Sequence, residues 1–385
     1  MAEVLAAYNC ALIADMFGDA PCSQAALIDE NGSPVYLTPK MDKQEEIYTQ
    51  AMQYLDDAIA DLQKEDLIDP EAQDLLYQGD AEKWLKLAYG LKARYTMHLL
   101  KRSANKDADM EKVLEYVNNS FESAEEQAAF DVYDANNINP LYGFFVARAG
   151  LGASESMRSK LAEYNDPRLS RAFITKQGTS GKEQAPGTAD NAVYAPNGTP
   201  EQGTSKYGTS LFMYSISAPT LLLSYHELKF LEAEALCRLE RDAKSALKDA
   251  VVAGLLNAEN SFTISRKELG KTLINAASSI TEAEAESYFD NTIEAKYTAE
   301  PLKTTMTQKY FALWGASGEA TESYNDVRRM KGLGENFIEL KNPNSFPLRC
   351  PYGNSDTTTN AEVKAAYGNG QYVYSENVWW AGGSR

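Results

Sequence analysis

Apolar residues recur every three to four positions along most of the chain, the period of an α-helix with one buried face. Leu5, Tyr8, Leu12, Ile13 and Met16 predict an amphipathic helix that begins near residue 2, with these five as its buried face. Ile47, Ala51, Tyr54, Leu55, Ala58, Ile59 and Leu62 predict a second over 42–62, with Asp42 as cap and Glu45 as first-turn acid. Trp84, Leu87, Ala88, Leu91, Tyr95 and Leu99 line a third over 80–100. Shorter helices are expected at 110–118, 120–129 and 154–164, the last ending at the turn residues Asn165-Asp166-Pro167. Pro219 opens a strong helix to Leu239, lined by Leu222, Tyr225, Leu228, Phe230, Leu231 and Leu236, with 242–257 as its antiparallel partner. A further pair is expected at 281–297 and 301–314, the first opened by the capping-box spacing of Thr281 and Glu284.

Two stretches break the pattern. Residues 175–210 are rich in Gly, Thr, Ser, Pro and Asn and read as a long surface loop. The tail from Gly332 is rich in Gly, Asn and Pro and reads as a surface wrap without long helices. Within the helical part, Trp84-x-x-Leu87-Ala88-x-x-Leu91 fits the first-helix pattern of a tetratricopeptide repeat, and Tyr48-x-x-Ala51-Met52-x-x-Leu55 fits it loosely 36 residues earlier. The fold expected is mainly α, a scaffold of tetratricopeptide-like helix pairs carrying long irregular loops.

Composition narrows the function. The net charge of −18 disfavours nucleic acid, whose binding rests on clustered Lys and Arg, and adsorption to anionic lipid. The first residues carry no basic run and interrupt their apolar positions with Glu3, Asn9 and Asp15, so they do not read as a signal peptide. Cys10, Cys22, Cys237 and Cys350 show no CxxC and no clustering, which argues against a zinc site or a disulfide framework. His98 and His226 are too few for a histidine-rich metal site.

Catalytic signatures do not assemble. His226-Glu227-x-x-Phe230 starts like a zinc-protease motif but lacks its second histidine. Phosphate-cradling glycine loops and a GxSxG elbow are absent. Glu232/Glu234 and Glu282/Glu284/Glu286 read as solvated helix faces rather than paired catalytic acids. Asp131, Asp134, Asn136, Asn137 and Asn139 form an oxygen-rich run that misses calcium-loop spacing. Arg328-Arg329 is expected at a helix end, in a structural role. No cofactor, metal or catalytic residue is expected.

Several stretches, in order from residue 14 to 380, resemble the SusD/RagB family of nutrient-binding outer-membrane lipoproteins of Bacteroidetes. They are Ala14-Asp-Met-Phe-Gly-Asp-Ala-Pro21, Pro39 to Tyr48 with Leu55-Asp-Asp-Ala-Ile59, and Gly79-Asp80 with Lys83-Trp84 and Leu91-x-x-Arg94. Asn165-Asp-Pro-Arg-Leu169, Tyr225-x-Glu227-x-x-Phe230-x-x-Ala233-Glu234-Ala235, and Gln308-Lys309-Tyr310 followed by Arg328-Arg329 continue the series. Phe346-Pro-x-Arg349 and Val378-Trp379-Trp380 close it. Tyr89 stands where the family usually has Asn. The resemblance implies a single domain over 1–385, with a helical scaffold at about 1–130 and 215–330. It places ligand-facing loops at about 131–214 and 331–385. It implies non-catalytic capture of a nutrient, an oligosaccharide or a peptide, together with a SusC-type TonB-dependent transporter. It also implies attachment to the outer membrane through a lipid anchor on a segment that this sequence does not include. A tetratricopeptide-like scaffold that binds only protein, and a glycoside hydrolase, are the alternatives.

Sugars stack an apolar face on an aromatic ring and bond their hydroxyls to polar side chains in a concave site. With 23 Tyr, 13 Phe and 4 Trp, the chain has many rings to offer. Those outside helix-periodic positions are the better candidates: Trp314 before a glycine at a helix end, Tyr207 and Tyr194 in the 175–210 loop, and Tyr142 and Phe145 (beside Phe144) after Pro140. Trp84 is expected in the repeat core, and Trp379-Trp380 in a structural role.

Overall fold

The computed structural model of the chain describes residues 1–64, 70–148, 152–177, 182–184, 193–198, 207–269, 278–367 and 372–384. It is mainly helical. Helices α1 (Ala2–Phe17), α2 (Gln44–Leu62), α3 (Ala81–His98) and α4 (Lys106–Asn118) pack each on the next. After short helices α5 (Pro140–Arg148), α6 (Glu155–Glu163) and α7 (Arg168–Ala172), helix α8 (Tyr225–Arg238) packs on α4 and on the long α9 (Lys244–Leu269). Then come α10 (Glu282–Tyr288), a π-helical turn at Phe289–Ile293, α11 (Glu294–Ala299), α12 (Pro301–Ala312) and α13 (Thr321–Leu333). Among the described residues the tail holds the one- to two-turn helices α14 (Asn354–Thr359) and α15 (Ala361–Tyr367) and a 3-10 turn at Trp379–Ala381. This is the tetratricopeptide-like architecture that the periodicity implies.

Two large apolar clusters form the core. One joins α1 to α4, the face of α8 turned toward α4, and Trp380; the other joins α6, the far face of α8, α9 and α12. Both repeat-like patterns fall on buried faces: Tyr48, Ala51 and Leu55 on α2, Trp84, Leu87 and Leu91 on α3. The indole of Trp84 donates to Asp74 Oδ2 at 2.6 Å, and Asp80 caps α3 by accepting the N–H groups of Glu82 and Lys83.

Several local expectations are corrected. On α1 the buried face is Val4, Ala7, Ala11, Ala14 and Asp15, whereas Leu5 and Ile13 are exposed and Tyr8, Leu12 and Met16 only half-buried. Small side chains let α1 approach α2 closely, so the alanine stripe sits inside. Asp42 does not cap α2. It accepts the backbone N–H groups of Cys22 and Ser23, while Glu46 accepts the Lys43 N–H at the helix start. Residues 120–129 form no α-helix, only a 3-10 turn at Ala124–Glu126. The strand β1 (Ala128–Phe130) lies there and pairs antiparallel with Thr220–Leu223, so the helix expected from Pro219 starts only at Tyr225, capped by Ser224. Backbone pairing with a distant segment overrides local helix propensity here. Part of the 175–210 loop lies outside the described residues; Phe173–Gln177 pairs with Lys182–Gln184 and with Thr209–Ser210.

Charges expected at the surface are buried instead. Glu234 on α8 is fully buried between Arg329 and Arg238. Arg328 and Arg329 lie inside α13 rather than at its end, both fully buried. Arg329 makes a bidentate pair with Glu234 at 2.5 and 2.7 Å and reaches Asp326 at 2.7 Å. Arg94 grips Glu227 and approaches Glu319 at 3.2 Å, and Lys309 meets Asp326 at 2.9 Å. Arg168 closes a fork on Asp166 at 2.8 and 2.7 Å. The pairs of Arg94, Lys309 and Arg329 tie α3, α8, α12 and α13 together, whereas the Arg168 fork is local to the start of α7.

Candidate functional site

A cleft of about 770 Å³ opens where the two expected ligand-facing segments meet. One wall is α6, through Glu155, Ser159, Lys160 and Glu163, with Tyr164 at its end. The opposite wall is the stretch 337–343, through Phe337, Ile338, Glu339 and Lys341. Lys303, Thr307 and Phe311 of α12 form the floor, and Pro196 and Asn197 one rim.

Each wall is placed by local chemistry. Ser154 caps α6, accepting the Met157 N–H, and its hydroxyl also donates to Asn197 Oδ1 at 2.8 Å. Backbone bonds from Ala195 to Ala153 and from Glu155 to Ala195 fix the 193–198 segment against the helix start. Gly334, with φ of 81°, turns the chain out of α13 into the opposite wall. Asn197 Nδ2 donates across the rim to Asn342 Oδ1 at 2.9 Å, joining the two walls.

The lining mixes rings and polar groups. Tyr164 meets Phe311 edge-on, with centroids 5.3 Å apart, and the Lys296 ammonium sits 4.4 Å from the Tyr164 centroid. Burial holds the Lys160 ammonium below the usual lysine range, and its Nζ donates to Ser156 Oγ at 2.7 Å. Glu155, Glu163 and Glu339 face Lys160, Lys303 and Lys341, three charges of each sign, so the cleft is electrically balanced. Such a surface suits a polar, uncharged ligand.

None of the five aromatic candidates lines this cleft. Trp314 is half-buried and stacks on Phe173 at 5.2 Å, with Phe212 edge-on at 5.1 Å. Tyr194 is buried, meets the same Phe173, and lies under the Arg158 guanidinium at 4.9 Å. Tyr207 is buried beside Gly208, whose carbonyl accepts the Ala153 N–H. Phe145 is buried against Tyr214 on α5, where Phe144 and Val146 face outward and Tyr142 is half-exposed. Trp314 and Tyr194 are thus brought together at Phe173, while Tyr142 and Phe145 form a separate group on α5. Tyr164, Phe311 and Phe337 line the cleft and are not among the candidates, although Tyr164 ends a helix just before a turn, as Trp314 does.

A second cleft of about 430 Å³ lies on the scaffold between α9, α10 and the start of α8, lined by Tyr225, His226, Lys248 and Asn257 among others. It borders neither loop-rich segment. Among the described residues, one cluster has metal-like spacing: Asp15, His98 and Glu322, all buried, with ligand atoms within 4.8 Å of one another. Their atoms are engaged with protein. His98 Nε2 donates to Glu322 at 2.7 Å, and its Nδ1 lies 2.9 Å from the Tyr48 hydroxyl. The Tyr48 hydroxyl donates to Asp15, as does the Trp380 indole at 3.0 Å. Burial alone would lower the His98 pKa, but the Glu322 and Asp15 carboxylates outweigh it and raise it to about 9. The trio is a buried ion pair around an imidazolium, which does not fit a metal. The oxygen-rich run forms a turn: Asp134 accepts the N–H groups of Asn136 and Asn137, and Asn139 caps α5.

Several residues of the motifs that carry the resemblance lie in this buried framework, among them Tyr48, Arg94, Glu227, Glu234, Arg329 and Trp380. Residues 1–352 match the SusD-like family described as starch-binding and associating with the outer membrane. The chain belongs to that family. This SusD-like protein is similar to a SusD/RagB family protein of Bacteroides thetaiotaomicron VPI-5482, with 66% identity, a TM-score of 0.94, and coverage of 100% of this chain and 80% of that one. A SusD homologue from Bacteroides fragilis NCTC 9343 (20% identity, TM-score 0.73, coverage 99% and 83%) shares the fold. So does a chitin-binding protein (21% identity, TM-score 0.71, coverage 99% and 80%). No curated protein matches the chain. Membership makes it a nutrient-binding protein, from a family that binds rather than catalyses and is associated with the outer membrane. No helix among the described residues is long and apolar enough to cross a membrane.

Proposed function

We propose that the protein captures an uncharged oligosaccharide segment in the cleft between α6 and residues 337–343. It then passes this ligand to a SusC-type TonB-dependent transporter, without turnover. The reading is carried by the cleft itself: about 770 Å³, electrically balanced, with aromatic walls and hydrogen-bonding side chains on its rim. Phe337 and Tyr164 supply apolar surface for a sugar face; Asn197, Ser159, Glu163 and Thr307 supply partners for its hydroxyls. Trp314 and Tyr194 support that wall from behind through Phe173, and Trp314 and Tyr142 keep enough open surface to touch a longer glycan. Tyr207 and Phe145 act by holding the loops. Anchoring at the membrane is by lipid. The chitin-binding relative supports a carbohydrate over a peptide at the level of the fold.

The test is calorimetric titration with neutral plant, mucin and microbial glycans, followed by Tyr164→Ala and Phe337→Ala. Each variant should weaken binding about tenfold or more, a loss of at least ~1.4 kcal/mol, with unchanged circular dichroism. Retained affinity in both, with loss in Tyr142→Ala, would move the site to α5. Release of shortened products would refute simple capture.

A further inference from the structure

The spacing of the cysteines gives no sign of pairing, yet the fold brings two of them together. Cys10 lies on α1, and Cys22 in the segment that returns past the end of that helix after Gly18. Their sulfurs are 3.2 Å apart, closer than two unbonded sulfurs rest in van der Waals contact. Both residues are half-buried at the edge of the first core cluster, so a small thiol reagent can reach them.

The approach is held from both sides. Cys10 is fixed by its helix. Cys22 is fixed by Asp42, whose Oδ2 accepts the Cys22 N–H at 3.0 Å and the Ser23 N–H at 2.7 Å, while Oδ1 accepts the Ser23 hydroxyl at 2.7 Å. Ala20 and Asp42 also exchange both backbone hydrogen bonds, at 3.1 and 3.0 Å. The loop from 10 to 22 is therefore already closed by folding, and a bond between the sulfurs needs no further chain ordering. Cys237 and Cys350 differ: Cys237 lies 3.6 Å from the Thr305 hydroxyl, and among the described residues the Cys10–Cys22 contact is the one hydrogen-bond-range approach of two cysteine sulfurs. Outer-membrane association places such a pair outside the reducing cytosol.

We infer that Cys10 and Cys22 close into a disulfide when the folded protein meets a disulfide-bearing oxidant. Either thiol can donate to the other across this contact, and where Cys22 donates, the thiolate is favoured at Cys10, which then attacks first. The Cys10 thiolate attacks one sulfur of the oxidant and expels the other as a thiol. Cys22, losing its proton, attacks Cys10 in the resulting mixed disulfide and expels the second thiol. The two cysteines are oxidised by two electrons, and the oxidant is reduced to two thiols that carry the two protons. The new bond ties α1 to the base of the segment 22–40. Beyond that base, Ile28 pairs with Pro34, and Leu27, Ile28, Val35, Tyr36 and Leu37 are exposed. That outer part has few anchors of its own, so a covalent tie at its base limits its opening.

The experiment equilibrates the folded protein with an excess of oxidised over reduced glutathione, quenches in acid, alkylates in denaturant and maps the peptides by mass. The expected result is alkylation at Cys237 and Cys350 only. A Cys10–Cys22 linked peptide, lighter by two hydrogen atoms, should vanish on reduction. Alkylatable Cys10 should fall at least tenfold relative to the reduced sample. In Cys22→Ser, with unchanged circular dichroism, Cys10 should become alkylatable or glutathione-bound again. Alkylation of all four thiols, a stable glutathione adduct at Cys10 or Cys22 in the parent protein, or continued protection of Cys10 in Cys22→Ser would each overturn the inference.

Discussion

The two histidines of this chain should titrate on opposite sides of neutrality, and the perturbation that exposes this is His98→Gln. In the fold, His98 is enclosed by Glu322 and Asp15, with Trp380 stacked on its ring at 5.6 Å. Its pKa rises from 6.5 to about 9 because those carboxylates outweigh the burial penalty. At ~1.36 kcal/mol per pH unit, that rise contributes about 3 kcal/mol to folding. The folded value lies above the unfolded one, so the contribution is complete below pH 6.5 and is lost as pH climbs through 9. His226 goes the other way. Burial, with Arg168 and Lys309 nearby, takes it down to about 4 despite Glu227, so its influence on stability falls below pH 6.5. The window from 6.5 to 9 thus isolates His98 from the other histidine.

Two assays read this. In a histidine-labelled sample with just two imidazole signals, one should titrate near pH 9 and the other near 4. In urea unfolding followed by far-ultraviolet circular dichroism, the parent should exceed His98→Gln by its largest margin near pH 6.5. That margin should narrow by about 3 kcal/mol towards alkaline pH. A margin independent of pH, or a His98 signal titrating near 6.5, would refute the buried imidazolium. The trio would then have to be held by neutral hydrogen bonds.

Two further expectations concern the framework. Arg329→Ala strips the fully buried Glu234 of its bidentate partner and Asp326 of one of its two cations, and should cost about 3–5 kcal/mol in urea unfolding. A loss under about 1 kcal/mol would mean that Arg238 and Lys309 can take over both carboxylates. Gly315→Ala should cost about 2–4 kcal/mol in the same measurement, since φ there is 79° and the added methyl would run into the Phe212 ring. It should also disturb the neighbouring Trp314 fluorescence, and an unchanged melt with unchanged emission would refute this account.

Much of the scaffold was legible because helix formation with one buried face is a local property. The period of apolar residues placed α2, α3, the first half of α9 and α12, and the Thr281/Glu284 spacing placed the start of α10; α9 runs on past the expected end at 257 to Leu269. The family was legible for a related reason. Its motifs include residues that need a partner in the core: Arg94 meets Glu227, Glu234 meets Arg329, Asp166 meets Arg168 and Trp380 meets Asp15. A buried charge without its partner is costly, so such positions admit few residue types and leave a readable trace.

The partnerships themselves were not legible. Glu234 read as solvated and Arg328-Arg329 as a helix end, because burial is decided by which helices stack against one another, far apart in sequence. The alanine face of α1 was missed because close approach to α2 outweighs the pull of larger apolar side chains. The strand at 128–130 exists only because 220–223 arrives beside it. The cleft is the extreme case. Its walls come from 155–164, 196–197, 303–311 and 337–343, and a half-open tyrosine there looks, in sequence, like any other tyrosine at the end of a helix. Local periodicity specifies most of the long helices and the motifs that identify the family. Which surfaces face each other across a cavity, and which two cysteines touch, follows from contact between distant segments, which has no local period.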